Sequence, residues 1–216
     1  MVPAPMADVT RQWALILGAS SGFGEATARA LAARGFDICG VHLDRRAGMA
    51  HVDAITAAIR ETGRQALFLN VNAADHDKRR QVIDALAQRI ADDGGGVVRV
   101  LMHSLAFGSL TPFVGADAVR LATPAQIEMT LNVMAHSLVY WVQDVVARGL
   151  LVRGGRVVAM TSAGSTRVWP GYGAVSAAKA ALEAHVRQLA VELGPSGVTV
   201  NAIRAGVTDT PAFRKI

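Results

Sequence analysis

Short apolar runs separated by longer stretches of helical periodicity recur from one end of the chain to the other, and this alternation limits the fold more than any other feature. The runs fall at residues 13–17, 37–42, 66–71, 97–102, 155–160 and 198–203. They are nearly continuous in Val, Ile, Leu and Ala rather than alternating with polar residues, which is how strands covered on both faces read. Helices are expected to begin near Gly22, Gly48, Ala74, Thr123 and Gly173, and Thr123-Pro124 is a start signal, an N-cap followed by proline. The pattern predicts an α/β fold, a doubly wound parallel sheet with helices on both faces. No repeat or linker interrupts it, so residues 1–216 are expected to form a single domain. Gly94-Gly95-Gly96 reads as a plain turn.

A chain of 216 residues with 51% hydrophobic and 5% aromatic content can bury one sizeable core and suits helices packed closely on a sheet. Its one cysteine, Cys39, falls in an apolar run and has no partner for an internal disulfide, so a reducing cytoplasm is expected. No apolar span of about twenty residues is present, and residues 1–12 lack the basic start and greasy core of a leader, so neither membrane insertion nor secretion is expected. The net charge of +5 is spread along helices apart from the pairs Arg45-Arg46 and Arg79-Arg80. That spread argues against nucleic acid and fits an anionic cofactor or an acidic carrier protein.

After the first apolar run comes Gly18-Ala19-Ser20-Ser21-Gly22-Phe23-Gly24, opening directly into a helical stretch. Glycines at a strand-to-helix junction let backbone N–H groups approach a pyrophosphate at the helix N-terminus, which makes the sheet a Rossmann-type one. Adenosine selection is expected at the end of the second strand. Asp44 stands twenty residues past Gly24, a spacing that suits an acid on the ribose hydroxyls and hence NADH. His42 is the last rung of that strand, however, and Asp44 shares the turn with Arg45 and Arg46, two guanidinium groups that suit a 2′-phosphate. NADPH is therefore favoured, with NADH possible. Asn70 and Val71 close the third strand beside this turn, and Asn70 is a candidate for the adenine amino group or a plain strand-end residue.

Tyr172 stands seven residues before Lys179. Seven positions are nearly two helical turns, so both side chains share a face, and the glycines flanking Tyr172 loosen the first turn enough for the lysine to reach back toward the ring. The pair can supply a proton donor and the charge that tunes it.

Together these residues resemble the short-chain dehydrogenase/reductase superfamily, over a match running from Trp13 to Thr210. The glycine loop resembles its cofactor loop, Asn132 in Leu131-Asn132-Val133 its mid-helix Asn, and Tyr172 with Lys179 its active pair. Asn201-Ala202-Ile203-Arg204-Ala205-Gly206 with Thr210 resembles the segment that holds the nicotinamide. Most members place the lysine four residues after the tyrosine, where this chain has Ser176; the longer gap resembles the bacterial enoyl-acyl-carrier-protein reductases. Residues 179–184, Gly194-Pro195-Ser196-Gly197-Val198, Ala205-Gly206 and the loop His103-Ser104-Leu105-Ala106-Phe107 resemble the same subgroup.

The resemblance implies reduction of the 2,3 double bond of an enoyl thioester in fatty acid synthesis. It implies Tyr172 as proton donor to the enolate oxygen and Lys179 on the nicotinamide ribose. Ser162 becomes a second donor or water anchor, Asn132 a water carrier, and Gly206, Thr208 and Thr210 the carboxamide holders, with Ser104 also on the cofactor. Phe107, Trp169 and Phe213 are candidates for the wall of an acyl pocket or for ordinary packing. Three departures stand out. Ser162 occupies the place, ten residues before Tyr172, where many of these reductases carry a second tyrosine. Ala159 occupies the place, thirteen before it, of the ketoreductase serine. Ile216 comes soon after Thr210, where the family continues into a substrate-covering helix, a seventh strand and an oligomer edge, so either the sequence is incomplete or the lid is missing. Reduction of a ketone or 3-ketoacyl thioester and a non-catalytic nucleotide-sensing module are the alternatives. No metal is implied, since His103, His136 and His185 lack ligand spacing. A homodimer or homotetramer is expected through the helices carrying Asn132 and Lys179, whose outer faces are taken to offer Val139, Tyr140, Val146, Val186 and Leu189.

Overall fold

The structure, a computed structural model, describes residues 11–115, 121–210 and 214. Six strands run in parallel in the order β3-β2-β1-β4-β5-β6. They are β1 (Gln12–Leu17), β2 (Asp37–His42), β3 (Ala66–Asn70), β4 (Val97–His103), β5 (Arg156–Thr161) and β6 (Thr199–Arg204). The helices are α1 (Gly22–Ala32), α2 (Met49–Glu61), α3 (His76–Asp92), α4 (Pro124–Leu131), α5 (Ser137–Ala147) and α6 (Gly173–Leu193).

Side-chain alternation along β1 divides the core between the two faces. Trp13, Leu15 and Leu17 pack with α3, α5 and α6 through residues such as Leu86, Trp141 and Leu182. Ala14 and Ile16 point the other way, onto Ala28 of α1 and Ile55 and Ile59 of α2. Trp141 is fully buried and donates its indole N–H to the Ala73 carbonyl at 2.8 Å, which anchors α5 to the turn before α3. Strand order reverses between β1 and β4, so the crevice at the carboxyl ends of those two strands is where such a sheet accepts a ligand.

Two helices depart from the expected pattern for local reasons. The third begins at His76, not near Ala74, because the Asn72 side chain folds residues 72–75 into a turn by accepting from Ala74 N at 3.0 Å, and Asp75 then caps the helix by accepting from Lys78 N. Beyond the Thr123 capping box with Gln126, the helix from Pro124 does not run through regularly but widens into a π-turn at Asn132–His136 before α5. Across it the Val133 carbonyl accepts from Ser137 Oγ at 2.8 Å. The strand ends also shift by a residue or so, β4 reaching His103 and β6 reaching Arg204. Val71, expected inside β3, lies just past it, yet its N–H still bonds the His42 carbonyl at 2.8 Å.

Of the five residues expected on the outer helix faces, Val186 and Leu189 are instead 7% and 6% exposed, inside the core. Helix α6 is central, and the positions four and seven after Leu182 stay on its sheet-facing side. Tyr140 and Val146 are exposed, and Val139 is half-buried.

Candidate active site

The turn after β1 is closely packed against β4 and against itself. Gly18 adopts φ +87°, and a Cβ there would stand 2.5 Å from the Ser104 carbonyl oxygen. Gly24 is tighter, since a Cβ would meet the Gly18 carbonyl oxygen at 2.0 Å. Gly18 and Ala19 N–H groups both bond the Val41 carbonyl, and Ser104 N–H bonds that of Leu17, so the turn is pinned to β2 and β4. Ser21, the N-cap of α1, makes no side-chain cap bond to the helix. A helix N-terminus that its own N-cap side chain does not cap, at a junction where glycines let the backbone pack closely, fits a pyrophosphate. Ser20, Ser21, Gly22 and Phe23 form its rim.

At the end of β2, His42 is buried and its Nδ1 lies 2.9 Å from Asp44 Oδ2. Asn70 presents its amide to the Asp44 backbone, accepting from the Asp44 N–H at 3.0 Å and donating to its carbonyl at 2.9 Å. Both amide ends are thereby occupied in shaping the turn. Arg45 and Arg46 lie exposed on that turn, with neither engaging an acid among the described residues. The other basic pair differs: Arg79 is buried, bonded to Asp144 at 2.6 Å and stacked 5.4 Å over the Tyr140 ring.

Tyr172 sits at the N-cap of α6, half-buried, with its ring against Gly164, where a Cβ would come within 2.4 Å of the ring. Gly164 belongs to the single helical turn Ala163–Ser165 that follows β5, and Ser162 caps that turn by accepting from Gly164 N–H at 3.2 Å. Ser176 Oγ donates to the Gly164 carbonyl, strapping the turn onto α6. Trp169 meets the Tyr172 ring edge-on at 5.6 Å. Phe113, which sequence reading passed over, packs on Gly173, and Gly171 backs onto the Leu110 carbonyl. Phe107 and Trp169 are exposed on this side, whereas Phe213 lies outside the described residues.

Lys179 is 6% exposed and donates to the Met160 carbonyl at 2.7 Å. Burial pushes its ammonium down to about 8, while the Glu183 carboxylate pulls it upward. His103, fully buried at the end of β4, lies 2.8 Å from Ser137 Oγ through Nε2. Burial, and then the Lys179 charge, push its imidazole down to about 3, so it is neutral at any physiological pH. Asn132 opens the π-turn, half-buried. His136, at the end of the π-turn, meets His185 of α6 at 3.0 Å. At the other end of the chain, Thr210 reaches Gly22, its Cγ2 lying 3.3 Å from a Cβ built there, and Thr208 donates to the Gly206 carbonyl at 3.2 Å.

Counting from Lys179 instead of Tyr172 changes one reading. The superfamily's serine, thirteen residues before a tyrosine whose lysine follows four later, falls on Ser162, and the tyrosine position falls on buried Val175. Ser162 thus keeps the usual distance from the lysine, and only the phenol has moved one turn back along α6.

A family model described as enoyl-(acyl carrier protein) reductase matches residues 18–216, and the chain belongs to that family, within the short-chain dehydrogenase/reductase superfamily. It is an oxidoreductase of a class that works with a nicotinamide dinucleotide. It is 31% identical over 203 residues to the 1-cyclohexenylcarbonyl-CoA reductase of Streptomyces collinus, an alignment spanning 94% of this chain and 67% of that protein. Against an NADH-dependent enoyl-[acyl-carrier-protein] reductase of a Nostoc species it is 32% identical, over 68% of this chain and 54% of the relative. The crystal structure of a short-chain dehydrogenase from Burkholderia cenocepacia in complex with NADP superimposes with a TM-score of 0.78 at 31% identity, covering 92% of this chain and 75% of that one.

Proposed function

We propose that the chain reduces the 2,3 double bond of an enoyl thioester, with NADPH preferred to NADH. The observation that carries the reading is Tyr172 seated on the turn after β5, with buried Lys179 seven residues on along α6. When bound, the reduced nicotinamide supplies a hydride to the β-carbon of the substrate. The remaining steps belong to the protein.

As negative charge gathers on the thioester oxygen, the Tyr172 hydroxyl donates its proton there, an interaction strongest in the transition state. The enol then takes a proton from water at its α-carbon and returns the oxygen's proton to the Tyr172 phenolate. The Met160 carbonyl accepts a hydrogen bond from one Lys179 ammonium N–H, which leaves two N–H groups for the cofactor ribose and keeps a positive charge where it favours release of the phenol proton. Ser162 Oγ accepts from Gly164 N–H and so retains its own hydrogen for the substrate or a water. Asn132 holds a water leading from Lys179. The cradle of Gly18, Ser20, Ser21, Gly22, Phe23 and Gly24 binds the pyrophosphate. His42, Asn70, Val71 and Ser104 border the adenosine side, and Gly206, Thr208 and Thr210 hold the carboxamide. Phe107 and Trp169 flank the acyl chain, whose carrier is acyl carrier protein or coenzyme A.

NADPH preference is assigned to Arg45 and Arg46. Replacing both with Ala is expected to weaken NADPH by about 1.5–3 kcal/mol per charged hydrogen bond lost while leaving NADH nearly unchanged. Equal losses for the two nucleotides in a fluorescence titration would defeat the assignment.

Reduction of a carbonyl is the second reading. Ser162 at the ketoreductase distance from Lys179 favours it, as does 28% identity over 206 residues to a 3-oxoacyl-[acyl-carrier-protein] reductase of Synechocystis. Oxidation of NADPH and NADH measured side by side against crotonyl and acetoacetyl thioesters separates the two. Nucleotide binding with no turnover of either substrate would mark a sensing module.

Self-association is proposed through α5 and α6. Tyr140, Val146 and Val191 leave apolar surface exposed on those helices. A homodimer or homotetramer is expected by light scattering at micromolar concentration, and a monomer there would refute it. A cytoplasmic location accords with Cys39, whose thiol burial pushes up to about 12 and out of redox chemistry. Among the described residues no helix is long and apolar enough to cross a membrane.

A further inference from the structure

We propose that Glu183 is a positioning residue for the reduction: by holding the ends of β5 and β6 at once, it sets where Lys179 and the segment after β6 meet the cofactor. The inference rests on the reductase reading above. Glu183 lies one helical turn past Lys179 on α6. Its Oε1 accepts from Thr161 Oγ1 at 2.7 Å, and Arg204 Nη2 stands 3.7 Å from the same oxygen. Thr161 ends β5 and directly follows Met160, whose carbonyl holds the Lys179 ammonium. Arg204 ends β6 and leads into Ala205-Gly206, and it also donates to Ser165 Oγ at 3.4 Å, in the turn that seats the Tyr172 ring. One carboxylate therefore joins α6, two strand ends and the turn behind the phenol.

A brace alone needs a hydrogen-bond acceptor but no charge. The charge acts on Lys179, because an ammonium taken out of water is held protonated by the acid beside it. The other ionisable groups facing the pair are Arg204 on β6, Arg187 on α6 and the neutral His103 on β4, so Glu183 is the acid among them. Burial works against the Glu183 carboxylate, but bonds from Thr161 and Ser165 and the charges of Arg204 and Arg187 hold its pKa below the usual carboxylate value. It therefore stays ionised wherever Lys179 titrates.

Glu183→Gln keeps the acceptor and removes the charge, Glu183→Asp keeps the charge, and Thr161→Val removes the anchor alone. NADPH affinity is measured by nucleotide fluorescence from pH 6 to 10, together with kcat and the KM for NADPH. Removing an acid beside Lys179 lowers its pKa, so the alkaline loss of NADPH affinity in Glu183→Gln moves to lower pH by about one pH unit. In Glu183→Asp the alkaline loss stays close to its native position. Thr161→Val raises the KM for NADPH about fivefold or more without moving the alkaline loss, as expected for a shifted but still charged lysine. A native pH dependence in Glu183→Gln overturns the proposal. Should that variant fail to fold, a native KM in Thr161→Val overturns it equally. A native protein that binds NADPH but oxidises it with no thioester sinks the reductase reading instead and leaves the affinity measurement able to decide on Glu183.

Discussion

Tyr172→Phe is expected to lower kcat for enoyl reduction by roughly 10²–10⁴-fold, the range for loss of a positioned proton donor, while NADPH affinity stays almost unchanged. The ring packs on Gly164 and Trp169, contacts that phenylalanine reproduces, so the fold and the turn behind the ring should survive. Lys179→Ala should damage turnover and cofactor affinity together, since the same ammonium holds the ribose and tunes the phenol. Tyr140 is the control. It is exposed on α5 and stacks with Arg79 through its ring face, so Tyr140→Phe should leave the kinetics near native. Near-native enoyl reduction by Tyr172→Phe would remove Tyr172 from the chemistry.

Gly24→Ala is expected to abolish NADPH binding and to lower the melting temperature. The added Cβ would stand 2.0 Å from the Gly18 carbonyl oxygen and 2.8 Å from its carbon, both backbone atoms of the cradle itself. They cannot yield without reshaping the turn that Gly18 and Ala19 pin to Val41. Overpacking of this kind costs about 1–3 kcal/mol in a folded core, and a distorted cradle loses the aligned N–H groups as well. Gly194→Ala supplies the contrast. Gly194 has helical dihedrals of −53° and −47°, and beyond its chain neighbours nothing lies within 4 Å of a built Cβ, so alanine there meets only the ring of Pro195 and should lower the melting temperature slightly while leaving NADPH affinity native. Equal melting temperatures and equal NADPH affinities for the two variants, by differential scanning fluorimetry and nucleotide titration, would refute the close-packed cradle.

The sheet and its order of elements were legible because its central strands, β1 and β2 above all, are buried on both faces and leave apolar runs, whereas β6 is exposed at all but one position. The glycine cradle was legible for a similar reason, as its spacing and its place between strand and helix answer to one geometry. What stayed hidden depends on tertiary neighbours. Val186 and Leu189 looked like surplus apolar surface until α6 proved central, with both residues turned inward. Just past the π-turn, Ser137 meets His103, a contact between residues thirty-four positions apart that no local propensity encodes. Asn70 looked free for adenine, yet its partner is the Asp44 backbone, twenty-six residues earlier. Glu183 went unremarked because a Glu mid-helix is ordinary, and only the meeting of Thr161 with Arg204 gives it a task.

Thr210 stands where a Cβ on Gly22 would meet it, although one belongs to the first turn after β1 and the other to the last described loop. Closing a loop of that length is entropically slow, and little else in the sheet depends on it. The cradle's far wall should therefore form late in folding and open early in unfolding, below the free energy of the global transition. A dinucleotide bridging the two would act as a clasp across nearly the whole sequence. Saturating nucleotide at a hundredfold excess over its Kd then adds about 2.7 kcal/mol, delivered first to the segment after β6, where proteolysis of the free protein should begin.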